Sequence, residues 1–141
     1  MFTLIDPWAV LVAAVVAYVI GWAWYSPLLW GKPWNESRGN AADAPTVMSP
    51  RILLYGFVNT LLMSFVIAVM FALVDVFSLV QSLQVALLMC FGFIVTLKFN
   101  ELIYTNTPPH WGRRAQLLFL IDSGYYIAVF LAVATVLWYL P

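Results

Sequence analysis

Five polar side chains interrupt otherwise apolar runs of this chain: Asn59, Lys98, Asn100, Glu101 and Asp122. Ionisable groups at membrane depth are costly to keep, so they are candidates by default for a binding site or for an ion or proton path. At about 1.5 Å of rise per helical residue, Asn59 lies roughly 12 Å past Arg51, and Asp122 roughly 12 Å past Arg114. Lys98, Asn100 and Glu101 fall near the same level on a third segment. Three helices thus place polar groups in one layer. Lys98 suits an ion pair with Asp122, and Glu101 one with Arg113 or Arg114. Lys98 and Glu101 are also i, i+3 neighbours on one helix. Asn59 suits a hydrogen bond to an adjacent helix, and Gly92, Thr96 and Asn100 form a small-to-polar stripe suited to close helix packing. A blander alternative stays open. A third helix ending at Leu97 leaves Lys98 snorkelling to the headgroups, and a fourth beginning at Ser123 leaves Asp122 as an N-cap. The other half of the bundle supplies no matching acids or histidines, which weighs against a conduction path.

Other chemistries find less support. His110 is the sole histidine and stands in Pro108-Pro109-His110-Trp111, without cysteine or carboxylate at ligand spacing, so it makes a poor metal site. Ser26, Ser64 and Ser123 have no histidine partner in a nucleophile arrangement. There is no glycine-rich phosphate loop. Cys90, the single cysteine, sits in an apolar run and cannot close an intrachain disulfide. Net charge is zero, so the basic face that nucleic acid requires is missing. Nothing in the residues names a cofactor, which stays unknown.

The elements that would position these groups follow from composition. Of 141 residues, 65% are hydrophobic and 9% charged, against about 25% charged in a soluble domain. The mean hydropathy is +0.96. Such a chain belongs in lipid, and the expectation is an all-α, polytopic integral membrane protein, a four-transmembrane-helix bundle forming a single membrane domain over 1–141. Each span needs about 20 apolar residues. The expected helices run over about 7–26, 52–74, 78–105 and 115–140, with a polar loop over 31–50. Asp6 with Pro7, and Ser49 with Pro50, read as caps and first turns. All eight prolines fall outside the four apolar interiors, as unbroken helices require. Asp43 and Glu36 in the polar loop are expected to be solvated. The first apolar run lacks a basic leader, so it is expected to be a retained helix.

Lys32, Arg38 and Arg51 accompany the first loop, and Arg113 and Arg114 the third. Cytoplasmic loops are enriched in lysine and arginine, so both termini are expected outside the cytoplasm. Trp22, Trp24, Trp30, Trp34 and Trp111 would then crowd the cytoplasmic interface as an aromatic belt.

The first helix ends in Gly21-Trp22-Ala23-Trp24-Tyr25-Ser26-Pro27, followed by Gly31-Lys32-Pro33-Trp34. This resembles the G-x-x-WYSP-x-x-x-GK-x-W signature of an uncharacterised membrane family catalogued as domain of unknown function 1761. The last helix carries a second similar element, Leu120-Ile121-Asp122-Ser123-Gly124-Tyr125-Tyr126. The resemblance covers nearly the whole chain. It implies a small, mostly bacterial, four-helix membrane protein of the inner or cell membrane, and it brings no activity or catalytic residues with it. Helix faces rich in Ala, Gly, Ser and Phe, and a first loop too short to fold as a domain, make the expected function non-enzymatic: a packing or accessory subunit that self-associates as a homo-oligomer or docks on a larger membrane complex, in contact with membrane lipids. The alternatives are a small transporter or channel with a polar vestibule, and an enzyme acting on lipid headgroups through Glu101, Asp122 or His110.

Overall fold

Asp6 and Pro7 open the first helix. The Asp6 carboxylate accepts from the Trp8 amide at 3.0 Å, and Pro7 fills the first turn, where its missing N–H costs nothing. In the computed structural model, which describes residues 5–45, 49–104 and 112–140, this helix is α1 (Pro7–Trp24). It is followed by α2 (Gly31–Ser37), α3 (Pro50–Val74), α4 (Leu79–Met89), α5 (Thr96–Ile103) and α6 (Arg113–Tyr139). A π-helical turn, Cys90–Val95, joins α4 to α5, so Leu79–Ile103 runs as one rod. No strand occurs among the described residues. Four stretches, α1, α3, α4 with α5, and α6, are long and apolar enough to cross a membrane. The protein is an all-helical membrane bundle.

Local chemistry sets the helix ends. The Ser49 hydroxyl accepts from the Ile52 amide at 3.3 Å, and the Ser78 hydroxyl from the Gln81 amide at 3.2 Å. Asp75 closes α3 in the left-handed conformation, with φ 56°. The expected polar loop is partly helical, because its first seven residues form α2. Beyond α2, the Asn35 amide donates to the carbonyls of Ala42 and Ala44. Asp43 pairs with Lys32 at 3.2 Å, although both are exposed. The segment holding Pro108, Pro109, His110 and Trp111 lies outside the described residues.

The hub of the bundle is α6, which packs against α1, α2, α3, α4, the π turn and α5. Small residues are buried at these seams: Ala9, Ala13 and Ala17 of α1, Ser82 and Ala86 of α4, Ala134 of α6. Large apolar side chains such as Leu62, Phe93 and Leu120 point outward. Lipid is as apolar as leucine, so helices in a membrane associate by close backbone approach rather than by hiding bulk. The ends of α1 and α5 and the starts of α3 and α6 lie together at the end of the bundle that carries α2.

The π turn explains how the third span serves two sites. Cys90 is fully buried in the core and Lys98 reaches toward α6. Eight residues of regular α-helix would set these positions about 80° apart. One extra residue in a wide turn removes about 100° of that rotation and returns Lys98 to within roughly 20° of the Cys90 face.

Candidate functional site

Pro27 stops α1 and forces the chain to turn. The Ser26 hydroxyl donates to the Ala23 carbonyl at 2.7 Å. Trp30 N–H donates to the Trp24 carbonyl at 3.0 Å, and Gly31 N–H to the Ser26 carbonyl at 2.9 Å. The turn is so tight that a Cβ on Gly31 would stand 2.4 Å from the Tyr25 carbonyl oxygen. Only glycine permits that approach. The turn folds α2 back under the end of α1 and brings the Trp34 ring to 4.9 Å from the Tyr25 ring, centroid to centroid.

Both of these side chains converge on Asp122. The Tyr25 hydroxyl donates to Asp122 Oδ1 at 2.9 Å, and the Trp34 indole N–H donates to the same oxygen at 3.1 Å. Lys98 Nζ lies 3.5 Å from Oδ2, and 2.9 Å from Glu101 Oε2. The Asp122 side chain is 14% exposed and that of Lys98 21%. Burial, and then the adjacent Asp122 carboxylate, push the Tyr25 phenol well above its ordinary range. Tyr25 therefore remains a protonated donor. One residue earlier, the Trp24 indole donates to the Ile121 carbonyl at 3.1 Å. Its ring lies over Gly124, where a Cβ would approach it to 3.1 Å. The end of α1, all of α2 and the first half of α6 are thus stitched together around one carboxylate, with α5 supplying the counter-charge.

Of the sequence-predicted layer, Lys98, Glu101 and Asp122 come together. Asp122 lies within α6, which starts at Arg113, so it is not an N-cap. Lys98 is followed by more helix to Ile103 and pairs rather than snorkels. Glu101 pairs with Lys98, and no ion pair joins it to Arg113 or Arg114 among the described residues. Asn100 stays outside the cluster on an exposed face. Gly92 and Thr96 are exposed as well, with the Thr96 hydroxyl turned back to the Gly92 carbonyl at 2.8 Å. The stripe they form with Asn100 is therefore exposed among the described residues and not buried against another of their helices. Asn59 makes no hydrogen bond to another described residue and is exposed at the wall of a cavity. Sequence reasoning set Trp34 in the interfacial belt and Tyr25 in the motif that ends the first helix, yet both turn inward. The usable signal was the buried acid itself, because a carboxylate at that depth demands donors and the Tyr25–Trp34 stretch holds the nearest ones. Trp22 and Trp30 are exposed, Trp22 at the edge of the cavity described below, while Ser26, Pro27, Gly31 and Lys32 shape the turn and its loop.

Beside this layer, between α1 and α3, lies a cavity of about 520 Å³. Tyr18, Trp22, Tyr25, Trp34, Tyr125 and Asn59 are among the side chains that line it. Among the described residues there is no group of three His, Cys, Asp or Glu able to hold a metal ion.

Compared with known protein families, residues 8–138 match the family described as Protein of unknown function (DUF1761). No curated protein and no solved structure matches the chain.

Proposed function

We propose a role for this chain, which belongs to the DUF1761 family of proteins of unknown function, as a non-enzymatic membrane subunit that packs with copies of itself or on a larger complex. The observation that carries this is the engagement of Asp122 within the bundle: Oδ1 accepts from both Tyr25 and Trp34, and Oδ2 faces the Lys98 ammonium at 3.5 Å. A general base or proton carrier needs an oxygen free to exchange with substrate or water. This carboxylate instead clamps three elements to α6. The function then belongs to the outer surfaces. There, Asn100 carries an amide with no partner among the described residues, next to Thr96 and Gly92 on one exposed stretch. An unpaired amide facing lipid is costly, and a second protein helix relieves that cost.

Lys32, Arg38, Arg51, Arg113 and Arg114 all belong to the α2 end of the bundle. The positive-inside rule supports placing that end in the cytoplasm, in a bacterial inner membrane, with both termini outside. The deciding experiment is native mass spectrometry of protein extracted gently from its own membranes. The proposal expects a multiple of the 15.9 kDa chain or a heavier assembly. A uniform monomer would overturn it.

The cavity beside the charged layer favours a second reading, a small transporter. That reading requires flux in proteoliposomes, and Asp122→Asn must reduce it without reducing expression. Absence of flux in the unmodified protein removes the transporter.

A further inference from the structure

The cavity between α1 and α3 restricts what can fill it. Its volume of about 520 Å³ lies in the range of roughly 300–1,000 Å³ that holds a small ligand. Five aromatic side chains line it, and no Asp, Glu, Lys, Arg or His does. Charged groups of the adjacent layer are already engaged. Asp122 holds Lys98, Tyr25 and Trp34, and the Arg38 guanidinium lies 4.4 Å from the centre of the Trp34 ring. A cation entering here would find no carboxylate on the wall, and an anion no ammonium or guanidinium. The occupant is uncharged.

Two polar groups on the wall narrow it further. Asn59 lies about 12 Å along α3 from Arg51, at hydrocarbon depth. Neither its amide nor the Tyr125 hydroxyl makes a hydrogen bond to another described residue. Donors left open at that depth are costly. An acyl chain offers them nothing, because its polar end stays at the surface. A flat ring carrying carbonyl oxygens satisfies the donors and packs against aromatic walls at once. Asp122 fixes Tyr25 and Trp34 beforehand, so that part of the wall costs little further ordering when a ligand arrives.

We infer that the α1–α3 cavity binds an uncharged, membrane-soluble, carbonyl-bearing ring of the quinone class. Asn59 and Tyr125 donate to its carbonyl oxygens, and the ring packs among Tyr18, Trp22 and Trp34. This stands whether or not the chain is a subunit of a larger assembly.

The test uses the full chain in phosphatidylcholine nanodiscs, titrated with a decyl-substituted benzoquinone while tryptophan fluorescence is followed. Trp22 and Trp34 report from the cavity wall, and simple partitioning into lipid gives unsaturable quenching. The expected result is a saturable phase at one probe per chain. Asn59→Leu keeps the volume, removes a donor, and weakens binding by about three- to tenfold. Leu53→Phe fills the cavity and abolishes the phase, whereas Val80→Ala on an exposed face of α4 leaves it unchanged. Should Leu53→Phe fail to fold, Asn59→Leu decides alone. Unsaturable quenching in the unmodified protein overturns the inference. So does saturable binding that ignores Asn59→Leu, or competition by decyltrimethylammonium or decyl phosphate as strong as that of the neutral probe.

Discussion

Removing Asp122 should unpick the α2 end of the bundle, and the structure sets the size of the effect. Asp122→Ala leaves the Tyr25 hydroxyl and the Trp34 indole N–H without their acceptor, and leaves Lys98 with Glu101 alone. Neutral bonds between membrane helices are worth only about 0.6 kcal/mol on average, because the unfolded chain also finds partners. Bonds to a charged group are stronger, about 1.5–3 kcal/mol each. Losing one member of a buried pair costs roughly 3–5 kcal/mol. We therefore expect Asp122→Ala to lose about 3–5 kcal/mol and Tyr25→Phe about 1.5–3 kcal/mol. The double variant should cost less than their sum by at least about 1.5 kcal/mol, since each single change already breaks the shared bond. Reversible unfolding in mixed micelles with increasing SDS measures all three. Asp122→Asn separates the contributions: it keeps an oxygen for Tyr25 and Trp34 and loses the ion pair, so it should fall between the unmodified protein and Asp122→Ala. Additivity of the two single changes within about 0.5 kcal/mol would refute the clamp.

The remaining expectations are simpler. Gly31→Ala places a methyl 2.4 Å from the Tyr25 carbonyl oxygen; it should cost roughly 2–4 kcal/mol in the same unfolding assay, with α2 released to proteolysis. Ser64 is fully buried and its hydroxyl has no hydrogen-bond partner among the described residues, so Ser64→Ala should be neutral or stabilising by up to about 1 kcal/mol. An impermeant thiol reagent should label Asn40→Cys in inverted membrane vesicles and not in intact cells. Labelling of intact cells instead would reverse the proposed orientation.

Much of the bundle is legible in the chain because a membrane helix is a local object. Asp6 before Pro7, Ser49 before Pro50 and Asp75 after Val74 act on their own helix ends, so no distant contact is needed to place them. Depth also made Lys98 and Asp122 candidates for a pair, which the structure forms at 3.5 Å. Asn59 did not follow. It has the depth for an interhelical bond, but its direction depends on how α1 and α3 splay, and it faces a cavity instead. The i, i+4, i+8 stripe of Gly92, Thr96 and Asn100 assumed a regular helix and an inward face. The chain has a π turn there and turns that face outward.

By itself, then, the sequence determined that this chain is a membrane protein with four spanning helices, where those spans lie, and which level of the bundle carries charge. Hydropathy and capping act over a few residues, and lipid enforces them on each helix separately. Only the tertiary structure decided that Tyr25 and Trp34 turn inward to Asp122, that Trp24 rests on Gly124, and that a cavity is left between α1 and α3. The inward turn of Trp34 depends on one tight turn at Gly31, and the reach of Lys98 to the same carboxylate on one extra residue in the Cys90–Val95 turn. Each rotates or redirects a whole segment, and its consequences appear only where that segment meets α6.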